Sequence, residues 1–410
     1  MDRVILHCDC NSFFASVETV LNPEYRDVPM AVCGNEEERH GIVLAKNELA
    51  KSYGIQTAET VYSAKKKCPN LVIARPHHKE YSDFSHRIND IYKEYTELVE
   101  PFGIDESWLD VTASRKLFGS GMEIAEAIRQ RIKNEIGLTV SIGVSFNKVF
   151  AKLGSDYKKP DAITEISREN FKSIVYPLPV SSLLFVGKKT TTELLKIGVN
   201  TVGDLANIEL EVLVNKFGKI GTTLYEYSRG LDTSPVVSSE YRDGAKSISN
   251  GFTFKHDLVS LEQCQMGIRY LCEEIGFKLR ANSLKCTTVA LTLKDSYLKS
   301  LTRQKHIHPP SDIGDTISDE LFGILCSEWD RKPVRMITVT ASGLIANDSP
   351  SQLSFFDEAT DEKRTKSLNK EKTIDKLRQK YGATAVVRAS MIKNDVCDVA
   401  DDFIGDDFDE

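Results

Sequence analysis

The stretch Val99–Val111, VEPFGIDESWLDV, constrains the fold more than any other. Two short apolar runs flank an acidic doublet, Asp105-Glu106, and Gly103 stands just before it. The pattern predicts a tight β-hairpin with the doublet at its turn. An acidic doublet on a turn is ordinarily solvated charge. This one gains meaning from Asp9, which ends a first apolar strand over 4–9. If the two strands are neighbours, three carboxylates meet at one sheet edge. Crowded carboxylates want a hard divalent cation, and Mg²⁺ takes one or two carboxylates plus substrate phosphates. That is the donor set of a two-metal phosphoryl-transfer site.

With 10–77 set aside as an insertion, the order is β(4–9), α(78–98), β(99–104), β(107–111), α(122–136), β(139–145). This is the ferredoxin-like βαββαβ arrangement. Its third strand pairs between the first two and runs antiparallel to both, so Asp9 meets the doublet by topology alone. Asn11 reads as the N-cap of a helix over 12–20, and Gly137 as the C-cap of 122–136. The insertion reads as strands 29–33, 41–45 and 71–75 with helices 46–53 and 60–67, the turn NEEERH lying between the first two strands. A helix over 147–157 follows the hairpin unit.

Residues 177–232 are short helices and Gly-centred turns, including FVGKKT at 185–190. Such a turn presents backbone N–H groups, with Lys188 and Lys189, to a phosphate. It resembles a helix–hairpin–helix module, with Phe185 where Gly is more usual; an ordinary helical bundle is the rival. A polar linker, 233–244, leads to a second βαββαβ with strands 246–254, 285–294, 297–307 and 334–345 and helices 260–282 and 313–328. Residues 278–305 carry Lys278, Arg280, Lys285, Lys294, Lys299, Arg303 and Lys305 against one acid, Asp295. That density on one hairpin suggests a phosphate-facing surface. The chain therefore reads as an α+β multidomain protein with a flexible C-terminal tail from residue 347, in which a charged helix pattern covers 361–381 and an acidic, disordered end covers 395–410.

A net charge of −7 argues against nucleic acid until its placement is considered. Residues 395–410 hold eight acids and no base, which leaves 1–394 at a net +1. Local patches then decide binding. Nine scattered cysteines without a C-x-x-C pair point to a reducing cytoplasm and away from zinc or disulfides. Cys8 and Cys10 share one strand face and Asp9 the other, so both read as small buried apolar groups. No apolar run approaches the ~18 residues of a membrane span.

The segments DCNSFFASVE, FGIDESWLDVT and SIGVSFNKVFAKLGSDYKKPDA together resemble the Y-family translesion DNA polymerases, and the likeness runs from residue 1 to about 346. The resemblance implies a palm (1–10 and 78–170), a small fingers insertion (11–77), a helix–hairpin–helix thumb (171–232) and a DNA-binding little finger (245–346). It implies Asp9, Asp105 and Glu106 as catalytic metal ligands of two Mg²⁺, joined by the Cys10 backbone carbonyl. It implies Phe14 as a steric gate under the sugar, and Phe13, Lys51 and Lys159 as nucleotide-binding residues. Family members often carry Tyr and Arg where this chain has Glu48 and Lys51, and a lysine offers a point charge rather than a bidentate fork. DNA contacts are expected from Lys188, Lys189, Lys294, Lys299 and Arg303. QLSFFD at 352–357 resembles a sliding-clamp peptide, with Gln352, Leu353, Phe355 and Phe356 as its anchors. The activity implied is low-fidelity, template-directed DNA synthesis past damage, by a cytoplasmic monomer that uses primer–template DNA and deoxynucleoside triphosphates.

Three rivals stay open at this level. A nucleotide cyclase explains the carboxylates, but not the hairpin-rich segment or the second basic sandwich. A catalytically dead DNA-binding scaffold is disfavoured by the intact acidic set. A relative that works only with accessory subunits is compatible with everything above.

Overall fold

In the computed structural model the first sheet is organised on β1 (Ile5–Cys10), and the structure describes residues 3–35, 41–238, 244–349, 358–389 and 396. Met1–Gly34 with Ile42–Arg242 make one compact unit, and Asp243–Glu410 form the body of a second.

In the first unit, β1 leads into α1 (Phe13–Leu21). The insertion then supplies β2 (Met30–Cys33), β3 (Val43–Lys46), α2 (Glu48–Ser52), α3 (Val61–Lys67) and β4 (Val72–Ala74), with its own sheet ordered β3-β2-β4. The NEEERH turn falls partly outside the described residues. Next come α4 (His78–Lys93), β5 (Val99–Pro101), β6 (Glu106–Asp110), α5 (Arg115–Phe118), α6 (Gly121–Arg131), β7 (Val140–Ser145), α7 (Lys148–Tyr157) and β8 (Ile163–Ile166). Short helices α8 (Phe171–Val175), α9 (Lys188–Leu195), α10 (Val202–Ala206), α11 (Leu210–Phe217) and α12 (Lys219–Ser228) complete it.

The main sheet is ordered β5-β6-β1-β7-β8. β6 lies between β5 and β1, antiparallel to both, as the βαββαβ reading requires. β8 is an addition that the reading missed; it pairs parallel to β7 at the sheet edge. Leu6, Cys8 and Cys10 of β1 face a core filled by Tyr81, Phe84 and Ile88 of α4 and Ile124 and Ile128 of α6. The alternate residues face α7. Gly143 sets how close α7 comes, because a Cβ there would meet the Ala151 carbonyl oxygen at 1.8 Å and the Ser155 nitrogen at 2.5 Å.

The cap before α1 differs from the reading. Ser12 occupies the cap position with φ 48, and Asn11 serves elsewhere. Asn11 donates to Ser141 Oγ at 2.9 Å and accepts from the Asp161 N–H at 2.9 Å, a tie between β7 and the loop before β8. Gly137 does end the α6 segment in the left-handed region, φ 83, after a π turn at Ile132–Ile136.

The linker is also corrected over its first part. Val236 is buried beside Ile5, Trp108 and Ala151, the Val237 N–H donates to Glu100 at 2.8 Å, and Arg3 donates to the Thr233 and Ser234 carbonyls. A segment polar in composition is thus laid along the sheet by one apolar anchor and its backbone.

The second unit contains β9 (Ser247–Leu258), α13 (Leu261–Ala281), β10 (Leu284–Asp295), β11 (Ser300–Ser311), α14 (Gly314–Glu328), β12 (Val334–Ala346) and α15 (Glu358–Tyr381). Element order repeats the first unit, yet the sheet is ordered β11-β10-β12-β9. The last strand, not the third, lies between the first and the second. Val289, Leu291, Leu293, Ile337 and Val339 face α13 and α14 in the core. The opposite face is rich in hydroxyls: Ser249, Thr292, Thr302, Thr338 and Thr340.

The charged helix read over 361–381 is present as α15, and that part of the tail is docked rather than flexible. α15 lies on α13 and α14 through Arg280, which pairs with Glu371 and with Asp375 at 2.6 Å. Val396 is buried in the same core. The peptide 352–357 and almost all of the acidic end lie outside the described residues.

Candidate active site

Strand register brings the acids together. Asp9 stands directly opposite Glu106, and the Cys10 N–H donates to the Asp105 carbonyl at 2.9 Å. Residues opposite each other in an antiparallel pair project to the same face. Asp9 and Glu106 therefore share the α7 face, with Asp105 at the hairpin turn beside them. Asp9 and Glu106 keep 15% and 19% of their side-chain surface exposed.

Each acid responds to this crowding in its own way. Burial raises the Asp9 carboxyl, and the Lys159 ammonium at 2.8 Å restrains the rise. Burial also raises Asp105, and the charges of Asp9 and Glu106 lift it further, to about 6. Burial would raise Glu106 as well, but hydrogen bonds from His7 and Lys152 prevail and bring it down to about 2.

α7 supplies the cations. Lys152 Nζ sits on Glu106 Oε2. Lys159, just past the helix, bridges Asp9 and Asp156, at 2.8 and 2.9 Å. His7 Nε2 is 3.3 Å from Glu106 Oε2, and its Nδ1 is 2.8 Å from Ser155 Oγ. The Ser155 hydroxyl also donates to the Lys152 carbonyl at 2.8 Å, and the direction of its contact with Nδ1 follows the tautomer of the ring. Burial keeps this histidine neutral by lowering its pKa.

These residues fit a divalent cation. Asp9, Asp105 and Glu106 are hard oxygen donors, and the raised Asp105 pKa is what anionic oxygens show when crowded without enough positive charge. Among the described residues no three side chains close around one point as a finished cage. A hard divalent cation held by one or two carboxylates commonly completes its shell with substrate phosphates and water.

Between α1 and α4 aromatic rings are layered. Phe14 is half-buried and its ring stacks on Tyr81, centroids 4.2 Å apart and planes 14° apart. The Tyr81 hydroxyl donates to the buried Glu18 at 2.6 Å, and His77 meets the same oxygen at 2.8 Å. Phe13 is 3% exposed, packed in the core, with its backbone N–H at the first turn of α1. On α2, Lys51 pairs with Glu48 at 3.5 Å, both exposed. Lys46 on β3 is near enough to both for their charges to act on it.

Lys188 and Lys189 open α9 behind Gly187, in the open. Phe185 adopts φ 66, the left-handed conformation for which the usual glycine is suited. In the second unit the expected basic set splits. Lys294 lies on the hydroxyl-rich face, opposite Ser300, and Lys299 is exposed at the hairpin turn. Arg303 lies opposite Leu291 on the helix face and pairs with Glu328 at 2.7 Å. Arg280, counted with them from sequence, is buried against α15.

Sequence reasoning missed His7, Lys152, Ser155, Glu18 and Tyr81. A signal existed for α7: Lys152, Ser155 and Asp156 recur at i, i+3 and i+4, one face of a helix.

Comparison with known proteins gives the family. Residues 8–156 match the impB/mucB/samB family, 245–355 its C-terminal domain, and 182–232 the thumb domain described for DNA polymerase-iota. The chain is 46% identical over 395 residues to DNA polymerase IV of Acetivibrio thermocellus, covering 96% of this chain and 98% of that one. It is 37% identical to DNA polymerase IV of Clostridium acetobutylicum, covering 96% and 100%, and 34% identical to DNA polymerase IV 2 of Bacillus subtilis, covering 95% of each. Among solved structures, a Y-family DNA polymerase chimera shares the fold, with TM-score 0.75 and 23% identity over 84% of this chain and 100% of that one. With relatives matched from end to end and the acids in register at the sheet edge, the chain belongs to the Y-family translesion DNA polymerases.

Proposed function

We propose that this DNA-directed DNA polymerase joins deoxynucleotides to a primer 3′-hydroxyl at Asp9, Asp105 and Glu106, using two Mg²⁺. The observation that carries the reading is the register Asp9↔Glu106 with Asp105 at the adjoining turn. Asp9, Asp105, Glu106 and the Cys10 carbonyl would hold the divalent ions, whose chemistry when bound would be to lower the pKa of the attacking hydroxyl and to neutralise charge on the leaving pyrophosphate. Phosphoryl transfer asks the protein mainly for positioning and electrostatics. Lys159 is placed to exchange its Asp9 contact for a triphosphate oxygen, and Lys51 and Lys46 add positive charge from the insertion. His7 and Lys152 hold Glu106 ionised and aimed. Phe14, backed by Tyr81, presents a ring that a 2′-hydroxyl would strike.

The domain roles follow the same logic: palm for the acids, fingers for the triphosphate, thumb and little finger for DNA. The Gly187 turn with Lys188 and Lys189 would take a backbone phosphate, and the hydroxyl-rich sheet face with Lys294 would take duplex backbone without reading sequence. Gln352, Leu353, Phe355 and Phe356 would dock on a sliding clamp, with the enzyme a cytoplasmic monomer. No helix among the described residues is long and apolar enough to cross a membrane. The test is primer extension by Asp105→Ala and Glu106→Ala on undamaged and lesion-bearing templates. Loss of incorporation with DNA binding retained supports the site; robust extension by either variant overturns it.

A further inference from the structure

α15 sorts its charges by face. From Arg364 to Tyr381 its acids are Glu371 and Asp375, and both turn inward onto Arg280. Glu371 also accepts from the Gly314 N–H at 3.1 Å. Arg378 and Arg388 share Glu273, while Lys370 and Arg388 share Asp315. Arg280 and Glu371 keep only 7% and 9% of their side-chain surface exposed. These pairs fix one face of the helix. At 3.6 residues per turn, Lys366, Lys372, Lys376 and Lys380 fall away from the Glu371–Asp375 face, with Lys370 at the edge beside Asp315, and all five are exposed. Among the described residues only Lys370 of the five is in an ion pair.

A merely solvated helix usually interleaves signs, with acids spaced to meet its lysines. Between Arg364 and Tyr381 both acids are spent on docking, and the charged side chains exposed on the outer face are all lysines, in a chain of net charge −7. We propose that this lysine row is a contact surface for a nucleic-acid backbone. From Lys366 to Lys380 the row runs about 21 Å at 1.5 Å per residue, the span of roughly six phosphates along one DNA strand. Lysines supply point charges without a bidentate fork, and the row carries no group suited to reading base edges. Contact is therefore independent of sequence. α15 lies on the side of its unit where α13 and α14 lie, away from the hydroxyl-rich sheet face. The DNA it takes is not the stretch proposed for that face, and the inference needs only that the chain is a DNA polymerase.

The test uses the full-length chain with Lys366, Lys372, Lys376 and Lys380 all changed to Gln, which keeps helix propensity. Binding is measured by fluorescence anisotropy across a salt series, on a short primer–template and on the same DNA with a long duplex extension. Expected are weaker binding to the long DNA and a log–log salt slope shallower by about 0.9 per lost contact. Binding to the short DNA and the single-nucleotide insertion rate at saturating DNA stay unchanged. An unchanged slope on the long DNA overturns the proposal. So does a loss seen only after residues 397–410 are also removed, because the acidic end would then be the occupant. A matching Lys→Arg set separates charge from folding: it keeps the original slope if charge is what matters, and a loss like that of the Gln set overturns the proposal.

Discussion

Replacing Lys152 by Met isolates what α7 does for the active site. The ammonium sits on Glu106 Oε2, and it is one of two donors that bring this carboxyl to about 2 against the lift from burial. The drop from an ordinary glutamate near 4.3 is about two pKa units, or roughly 3 kcal/mol in favour of the ionised form. His7 supplies part of it, and partial exposure screens the rest. Loss of Lys152 should therefore cost about 1–2 kcal/mol at neutral pH. The sign follows from the depressed pKa. The stabilisation is fully present above the unfolded value and fades as pH falls towards 2, so the variant and parent should converge in acid. Divalent metal changes the outcome. A cation bound at Glu106 replaces the missing ammonium, and the variant, freed from a competing charge, should bind Mn²⁺ more tightly than the parent. The assay is thermal unfolding in chelator and in MgCl₂, with Mn²⁺ affinity measured in parallel. A Tm deficit of about 2–4 °C per kcal/mol in chelator, shrinking with metal, is expected. An equal deficit in both conditions, or weaker Mn²⁺ binding, would refute the reasoning.

Asp105, raised to about 6, must lose its proton to bind metal, so divalent affinity should fall up to tenfold per pH unit below that value; a flat Mn²⁺ affinity between pH 5 and pH 7 contradicts this. Phe14→Ala should raise ribonucleotide use relative to deoxynucleotide use in single-insertion kinetics, and an unchanged ratio in a folded variant rejects the gate. Lys294→Glu should weaken binding to primer–template DNA about equally across sequences and flatten its salt dependence by about 0.9 per contact. Arg303→Glu, on the helix face beside Glu328, should leave that slope alone; equal effects from the two would put the DNA elsewhere.

The acids were legible from the sequence because topology alone brings them together: a strand ending at Asp9 and a hairpin turning at Asp105 have one way to meet in a βαββαβ sheet. The alternation in β1 likewise buried Cys8 and Cys10 and turned Asp9 the other way. What stayed hidden is decided by pairing rather than by pattern. Element order is the same in both βαββαβ units, but order does not say which strands are neighbours: between its first and second strands the first sheet places the third, β6, and the second sheet places the last, β12. Arg303 and Lys294 looked alike as charges on one hairpin, and only the register shows that they take opposite faces. The charged tail helix has little apolar surface to advertise its burial. Its docking rests on Arg280, which sequence composition had counted among the solvent-facing cations.

The segment SIGVSFNKVFAKLGSDYKK connects fold to chemistry through one close approach. Asn147 caps α7 by accepting from the Phe150 N–H at 2.8 Å, and so fixes where the helix starts. Gly143, paired with His7 across the sheet, lets the helix backbone settle at a distance no side chain would permit. Gly154 meets it from the helix side, where an added Cβ would come to 2.9 Å from the Gly143 Cα. From that depth Lys152 reaches Glu106, Ser155 reaches His7, and the chain leaves the helix with Lys159 on Asp9. A larger residue at 143 would lift all three contacts together, although none of them involves residue 143 itself. The glycines of this motif therefore act on the electrostatics of the active site through distance, and the same short helix both covers the sheet and supplies the cations that balance its acids.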